Sequence, residues 1–153
     1  MSSNITTIYN RIIEVMDGLF PNKTRVPYPY AMERNNNRLM NDGYSVSVGS
    51  ASFEEFETCR FMVSRSITIS FTREMFKLDS SSSEIDQRVL GMMEDIVKVQ
   101  RAFYNYNELD IPASIARVDI VGTSDPQEIN VDKSNFLMME AEFNFFISEL
   151  IGE

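Results

Sequence analysis

A chain of 153 residues in which 43% are apolar, with 11 Phe and 10 Met, has enough hydrophobic content for one core and too much for a disordered segment. Chains of this size bury roughly two thirds of their unfolded surface around a single core, so residues 1–153 are expected to form one domain. The 23 acids against 14 bases, a net charge of −9, argue against a groove that grips phosphates and are compatible with a wall along which DNA passes unbound.

Ile8, Ile12, Val15, Met16 and Leu19 recur at helical spacing, with Thr6 or Thr7 as candidate N-cap and Gly18 followed by Pro21 as the stop. From Phe20 to Asp42 the pattern breaks into Pro21, Pro27, Pro29 and the polar run Asn35-Asn36-Asn37, which is loop chemistry with some extended pieces. A loop this long in a compact domain is either a docking segment, with Tyr28, Tyr30, Arg34 and Asn35 as its candidate partner-facing residues, or an ordered connector wrapped on the surface with its tyrosines packed inward.

Gly43 opens a strand in which Tyr44, Val46 and Val48 alternate with Ser45 and Ser47 until Gly49 ends it. The acidic knot Glu54-Glu55-Phe56-Glu57 reads as the loop of a long, negatively charged hairpin. Its second strand runs from Phe61 to Thr72, with Phe61, Val63, Ile67, Ile69 and Phe71 on one face.

After the polar run Ser80–Ser83, Ser83 and Asp86 make a relative of the capping box. Ile85, Val89, Met92, Met93, Ile96, Val99 and Phe103 then predict a helix of about five turns, with both adjacent methionines taken into the packing. Glu84 and Asp86 near its start and Lys98 and Arg101 near its end suit the helix dipole. Pro112 separates it from a β-branched strand, Ile115 to Val121, and Gly122 to Asn130 reads as turn or loop around Asp125-Pro126. The last strand sets Leu137, Met139, Ala141, Phe143, Phe145 and Ile147 against Met138, Glu140, Glu142, Asn144, Phe146 and Ser148. The expected fold is α+β, a mostly antiparallel sheet with helices packed on one face and the element order α-β-β-α-β-β. A split-βαβ ferredoxin-like arrangement ranks second because its element order differs.

Catalytic chemistry has little to work with. The chain has no His, which removes the usual neutral-pH base and the commonest metal ligand. Cys59 stands without an activating partner and permits no internal disulfide, so a reducing cytoplasm is the expected setting. The six Gly form neither a P-loop nor a dinucleotide fingerprint. The N-terminus shows no secretory pattern, and no run of about 18 apolar residues would cross a membrane. Carboxylates pair in sequence at Glu54 and Glu55, Glu94 and Asp95, and Glu140 and Glu142. A Mg²⁺ site on Glu140, Glu142 or Asp119 is the enzyme-like alternative, and a solvated strand face is the plainer account of those residues.

Leu19-Phe20-Pro21-Asn22-Lys23-Thr24, Pro27-Tyr28-Pro29-Tyr30-Ala31-Met32-Glu33-Arg34-Asn35 and Asp42-Gly43-Tyr44-Ser45-Val46-Ser47-Val48-Gly49 together resemble the opening of tail terminator (tail completion) proteins of long-tailed bacteriophages. At residue level the likeness covers about the first third of the chain, and as element order almost all of it. The resemblance implies a structural, non-enzymatic virion protein with no cofactor, assembled in the host cytoplasm and sited at the head-proximal end of the tail. It implies a homohexameric ring that stops polymerisation of the tail tube protein, docks the head–tail connector protein and lets DNA through without specific binding. Glu54, Glu55 and Glu57 would then lie near the lumen or a subunit interface. A head-side neck (head completion) protein is the alternative within the same structural class.

Overall fold

The computed structural model describes residues 4–26, 42–57, 60–74, 82–104, 115–131 and 134–150. Two helices and six strands follow in the order α1 (Asn4–Leu19), β1 (Thr24–Arg25), β2 (Asp42–Glu57), β3 (Arg60–Glu74), α2 (Ser82–Tyr104), β4 (Ile115–Thr123), β5 (Gln127–Val131) and β6 (Ser134–Leu150). The fold is α+β with a mostly antiparallel, mixed sheet, as the alternation in the sequence predicts.

The long strands β3 and β6 form its centre, paired from Arg60↔Leu150 to Glu74↔Phe136 without a register shift. Outside β3 lies β2, and outside β6 lie β4 and β5. Strand alternation sends Tyr44, Val46, Ile67, Ile69, Phe71, Met139, Ala141, Phe143, Phe145 and Ile147 to one side. There they form one cluster with Ile8, Ile12 and Met16 of α1 and Met92, Ile96, Val99 and Phe103 of α2. Both helices therefore cover the same face. The other face carries Ser47, Ser64, Ser66, Thr68, Glu142 and Asn144, with Ser45, Ser70 and Thr72 buried on it.

Several expectations need correction. The element order is α-β-β-β-α-β-β-β, because two short strands escape the sequence pattern. β1 is two residues pairing parallel with Gly43 and Tyr44, too short to show any period. β5 occupies Gln127–Val131, inside the stretch read as turn or loop. It continues the line of β4 after a break at Ser124-Asp125-Pro126, since β4 ends opposite Ala141 and β5 begins opposite Met138. Ser124 bridges that break: its N–H donates to the Glu140 carbonyl (2.9 Å) and its Oγ accepts the Glu140 N–H (2.9 Å). Pro126 lacks an N–H, and an edge position tolerates it.

Gly49 does not end the first long strand. Val48 pairs with Ile67 and Ala51 with Arg65, so Gly49 and Ser50 together oppose Ser66 in a β-bulge and the strand continues to Glu57. A Cβ on Gly49 would stand 3.4 Å from the Ser66 Cβ, which fits a small residue at that bulge. The helices also begin earlier than their candidate caps. α1 starts at Asn4, placing Thr6 and Thr7 inside its first turn, and α2 starts at Ser82, placing Ser83 within it. Of the adjacent methionines only Met92 enters the core, and Met93 is exposed.

Tyr44 shows how α1 is anchored to the sheet. Its ring is fully buried and its hydroxyl donates to the Asp17 carboxylate at the end of α1. Burial first, and that hydrogen bond second, push the phenol well above its ordinary value. Tyr44→Phe is expected to cost about 1.5–3 kcal/mol near neutral pH, the worth of a hydrogen bond to a charged acceptor. In the unfolded chain the phenol ionises near pH 10 while the native one stays protonated, so the unfolded state binds fewer protons and Tyr44's contribution falls as pH rises above about 10. Urea unfolding of wild type and Tyr44→Phe should show their stability gap narrowing between about pH 9 and pH 11. A constant gap would mean that the hydroxyl is not held as described.

Candidate functional site

Among the described residues the chemically distinctive features are two sheet edges, a polar face, two open hollows and one ion cluster. The acidic knot is strand, not loop: Glu54 lies opposite Met62, Glu55 opposite Phe61 and Glu57 opposite Arg60. A second register shift between Glu55 and Glu57 leaves Phe56 as the extra residue, a local kink at the far end of β2. Apart from Asp42 at its start, β2 carries no charges other than these three, so the strand is acidic and has no base. Phe53 precedes them and is 67% exposed. Tyr28, Tyr30, Arg34, Asn35, Cys59 and Tyr106 lie outside the described residues.

Among the described residues both edges of the sheet are unpaired over much of their length. On its outer side β2 is paired by β1 only at Gly43 and Tyr44, and β4 is paired only by β6, among the described residues. Cross-strand rows reach these edges from the helix-bearing face. The row Val48–Ile67–Phe143–Ile120 is buried at its two central positions and exposed at both ends. Open, partly apolar edges invite pairing with another chain, and natural sheets usually cover them or use them.

On the helix-free face Glu140 and Glu142 do sit side by side, as their i, i+2 spacing requires. They line an open hollow of about 270 Å³ with Thr68, Gly122, Thr123 and Ser124. Glu142 Oε1 accepts the Ser66 hydroxyl at 2.9 Å. Asp119 does not join them: it pairs with Arg117 at 3.0 Å, and that guanidinium stacks on Phe146 with its carbon 4.1 Å from the ring centroid. No three acids or thiols gather in a way that would hold a metal ion among the described residues. Glu94 and Asp95 also separate, Glu94 being exposed and Asp95 buried.

Asp95 belongs to the cluster that sequence reasoning missed. Lys23, just after α1, bridges Asp42 of β2 and Asp95 of α2, the latter at 3.2 Å. Arg73 of β3 reaches Asp95 at 2.9 Å and Asp42 at 3.6 Å. Two cations and two anions thus balance where the turn after α1 meets β2, β3 and α2. α2 passes close there, because a Cβ on Gly91 would come within 2.5 Å of the Arg73 guanidinium. Lys23 also lies 5.7 Å from the Phe20 ring centroid, and Phe20 packs edge-on against Phe71 at 5.4 Å. The arrangement ties the turn after α1 and helix α2 to the sheet. Local spacing could not reveal it, since the members are far apart in sequence.

No helix among the described residues is long and apolar enough to cross a membrane. Comparison with protein-family models and with curated proteins gave no match.

Proposed function

We propose that the chain is a tail terminator: a structural subunit that assembles into a homohexameric ring at the head-proximal end of a bacteriophage tail tube. The ring stops polymerisation of the tail tube protein, presents a docking face to the head–tail connector protein and lets DNA pass without binding it. The observation that carries the reading is a sheet with two unlike edges, unpaired over much of their length among the described residues, in a chain of net charge −9, one edge strand acidic and each carrying exposed apolar side chains. A ring of identical subunits requires two different patches on each copy, and a negative wall around DNA discourages adhesion. The likeness of residues 19–49 to tail terminators supplies the ring size and the site in the virion.

Charge reversal tests the acidic strand end. Glu54→Lys, Glu55→Lys and Glu57→Lys combined are expected to disturb ring assembly, tube capping or DNA passage, with a circular dichroism melt establishing that the variant is folded. Electron microscopy of capped tubes and a phage-yield assay read the effect. Unchanged capping and yield would remove the acidic strand from the mechanism.

A further inference from the structure

Helix α2 carries two apolar seams where one would suffice to hold it on the sheet. Val89, Met92, Ile96, Val99 and Phe103 face the core. Leu90, Met93, Val97 and Tyr104 repeat the same three-and-four spacing on a neighbouring side and are 60%, 42%, 41% and 76% exposed. At the C-terminal half of this second seam, Val97, Gln100, Arg101, Tyr104 and Ile120 line an open groove of about 260 Å³ between α2 and β4. Gln100 Nε2 donates to Thr123 Oγ1 at 3.3 Å and ties the helix to the strand beside it.

The opposite edge of the sheet carries an exposed aromatic residue followed by acids. Phe53 stands exposed on β2, and its cross-strand row Phe53–Val63–Ile147–Ile115 lies on the helix-bearing face. Glu54, Glu55 and Glu57 follow it on the same strand. Arg101 is the charged residue lining the groove, and no salt bridge engages it among the described residues. Beyond Asp95, α2 carries Lys98 and Arg101 and no acid. Strand direction agrees as well. Each step from β2 through β3 and β6 to β4 is antiparallel, so β2 and β4 run oppositely and a translated copy would set antiparallel edges side by side.

We infer that copies of this chain associate head to tail, with Phe53 of one copy seated in the α2–β4 groove of the next and the acidic end of β2 against Arg101. The inference rests on the ring reading and names its two mating surfaces. The occupant is a second copy because one molecule carries both the apolar, acidic edge and the apolar, basic groove on opposite sides of its sheet. Unlike patches on opposite sides give an open or ring-closed series and not a twofold dimer.

Two variants of the full chain test this, Phe53→Ser and Val97→Asp. Both residues are exposed, and circular dichroism melts establish that each variant is folded before its assembly is compared. Sedimentation velocity over a concentration series should show wild type assembling beyond a dimer and each variant alone weakened roughly tenfold or more, the size of a lost anchor contact. An equimolar mixture should form a heterodimer and nothing larger, because each variant keeps one intact surface. Wild-type assembly by both variants would overturn the inference and leave the ring reading standing. Variants that lose assembly and remain monomeric when mixed would overturn the head-to-tail arrangement. A wild-type chain monomeric at every concentration would also overturn the inference, while the ring reading would still be decided separately on tail tubes.

Discussion

Phe143→Ala is expected to cost about 3–5 kcal/mol of folding stability, the range for deleting a fully buried aromatic ring. Phe143 lies at the middle of β6, flanked in register by Ile67 and Ile120, and has no solvent exposure. Its ring meets Phe103 of α2 edge-on at 4.8 Å, and Phe103 also packs against Phe145 at 5.6 Å. Truncation removes the wall against which the last turn of α2 packs, and neighbours on a central strand have little room to collapse inward. Ile120→Ala, one strand over but exposed, should cost under about 1 kcal/mol. Urea denaturation of the two variants measures the contrast. Equal losses would mean that α2 does not seat on Phe143.

The second large effect is expected at the ion cluster. Asp95→Ala removes the carboxylate shared by Lys23 and Arg73 and leaves two cations facing Asp42 alone. Breaking a fully buried pair costs about 3–5 kcal/mol, chiefly through the uncompensated charge. The Lys23 side chain is only 8% exposed, but Arg73 and Asp42 are open enough for water to screen part of the imbalance. A loss of about 2–4 kcal/mol follows. Lys23→Met in the Asp95→Ala background should recover part of that loss, because it removes the buried cation as well as its partner. A double variant no more stable than Asp95→Ala would show that Lys23 carries no uncompensated charge there. A single-variant loss below about 0.5 kcal/mol would place the cluster among ordinary surface pairs.

The parts of the fold legible in the sequence are those with a strong local period. β6 alternates cleanly through its apolar row, and α2 shows five turns of helical spacing, because each meets one core along most of its length. Where the period is interrupted by one residue, the reading stops short. Gly49 looks like a terminator, yet the bulge absorbs it and β2 runs on, so an apparent acidic loop becomes strand. Pro126 hides β5 in the same way, because the pairing resumes immediately after it. Met92 and Met93 look equivalent in composition, and only the direction of the helix face separates core from surface. The ion cluster joins residues 23, 42, 73 and 95 and leaves no mark at any local spacing. Of the candidate site, the acidic run was visible as composition, while its place on an open edge opposite a basic groove depends on the sheet order.

If this chain caps tail tubes as a ring, negative-stain electron microscopy will show the ring in place. Tail tube protein would be polymerised with and without the chain, with head–tail connector protein as a parallel binding control. Tubes of limited length bearing a ring at one end are expected. Tubes that grow without limit and carry no ring would contradict it, and a ring found only on the connector would move the assignment to a head-side neck protein.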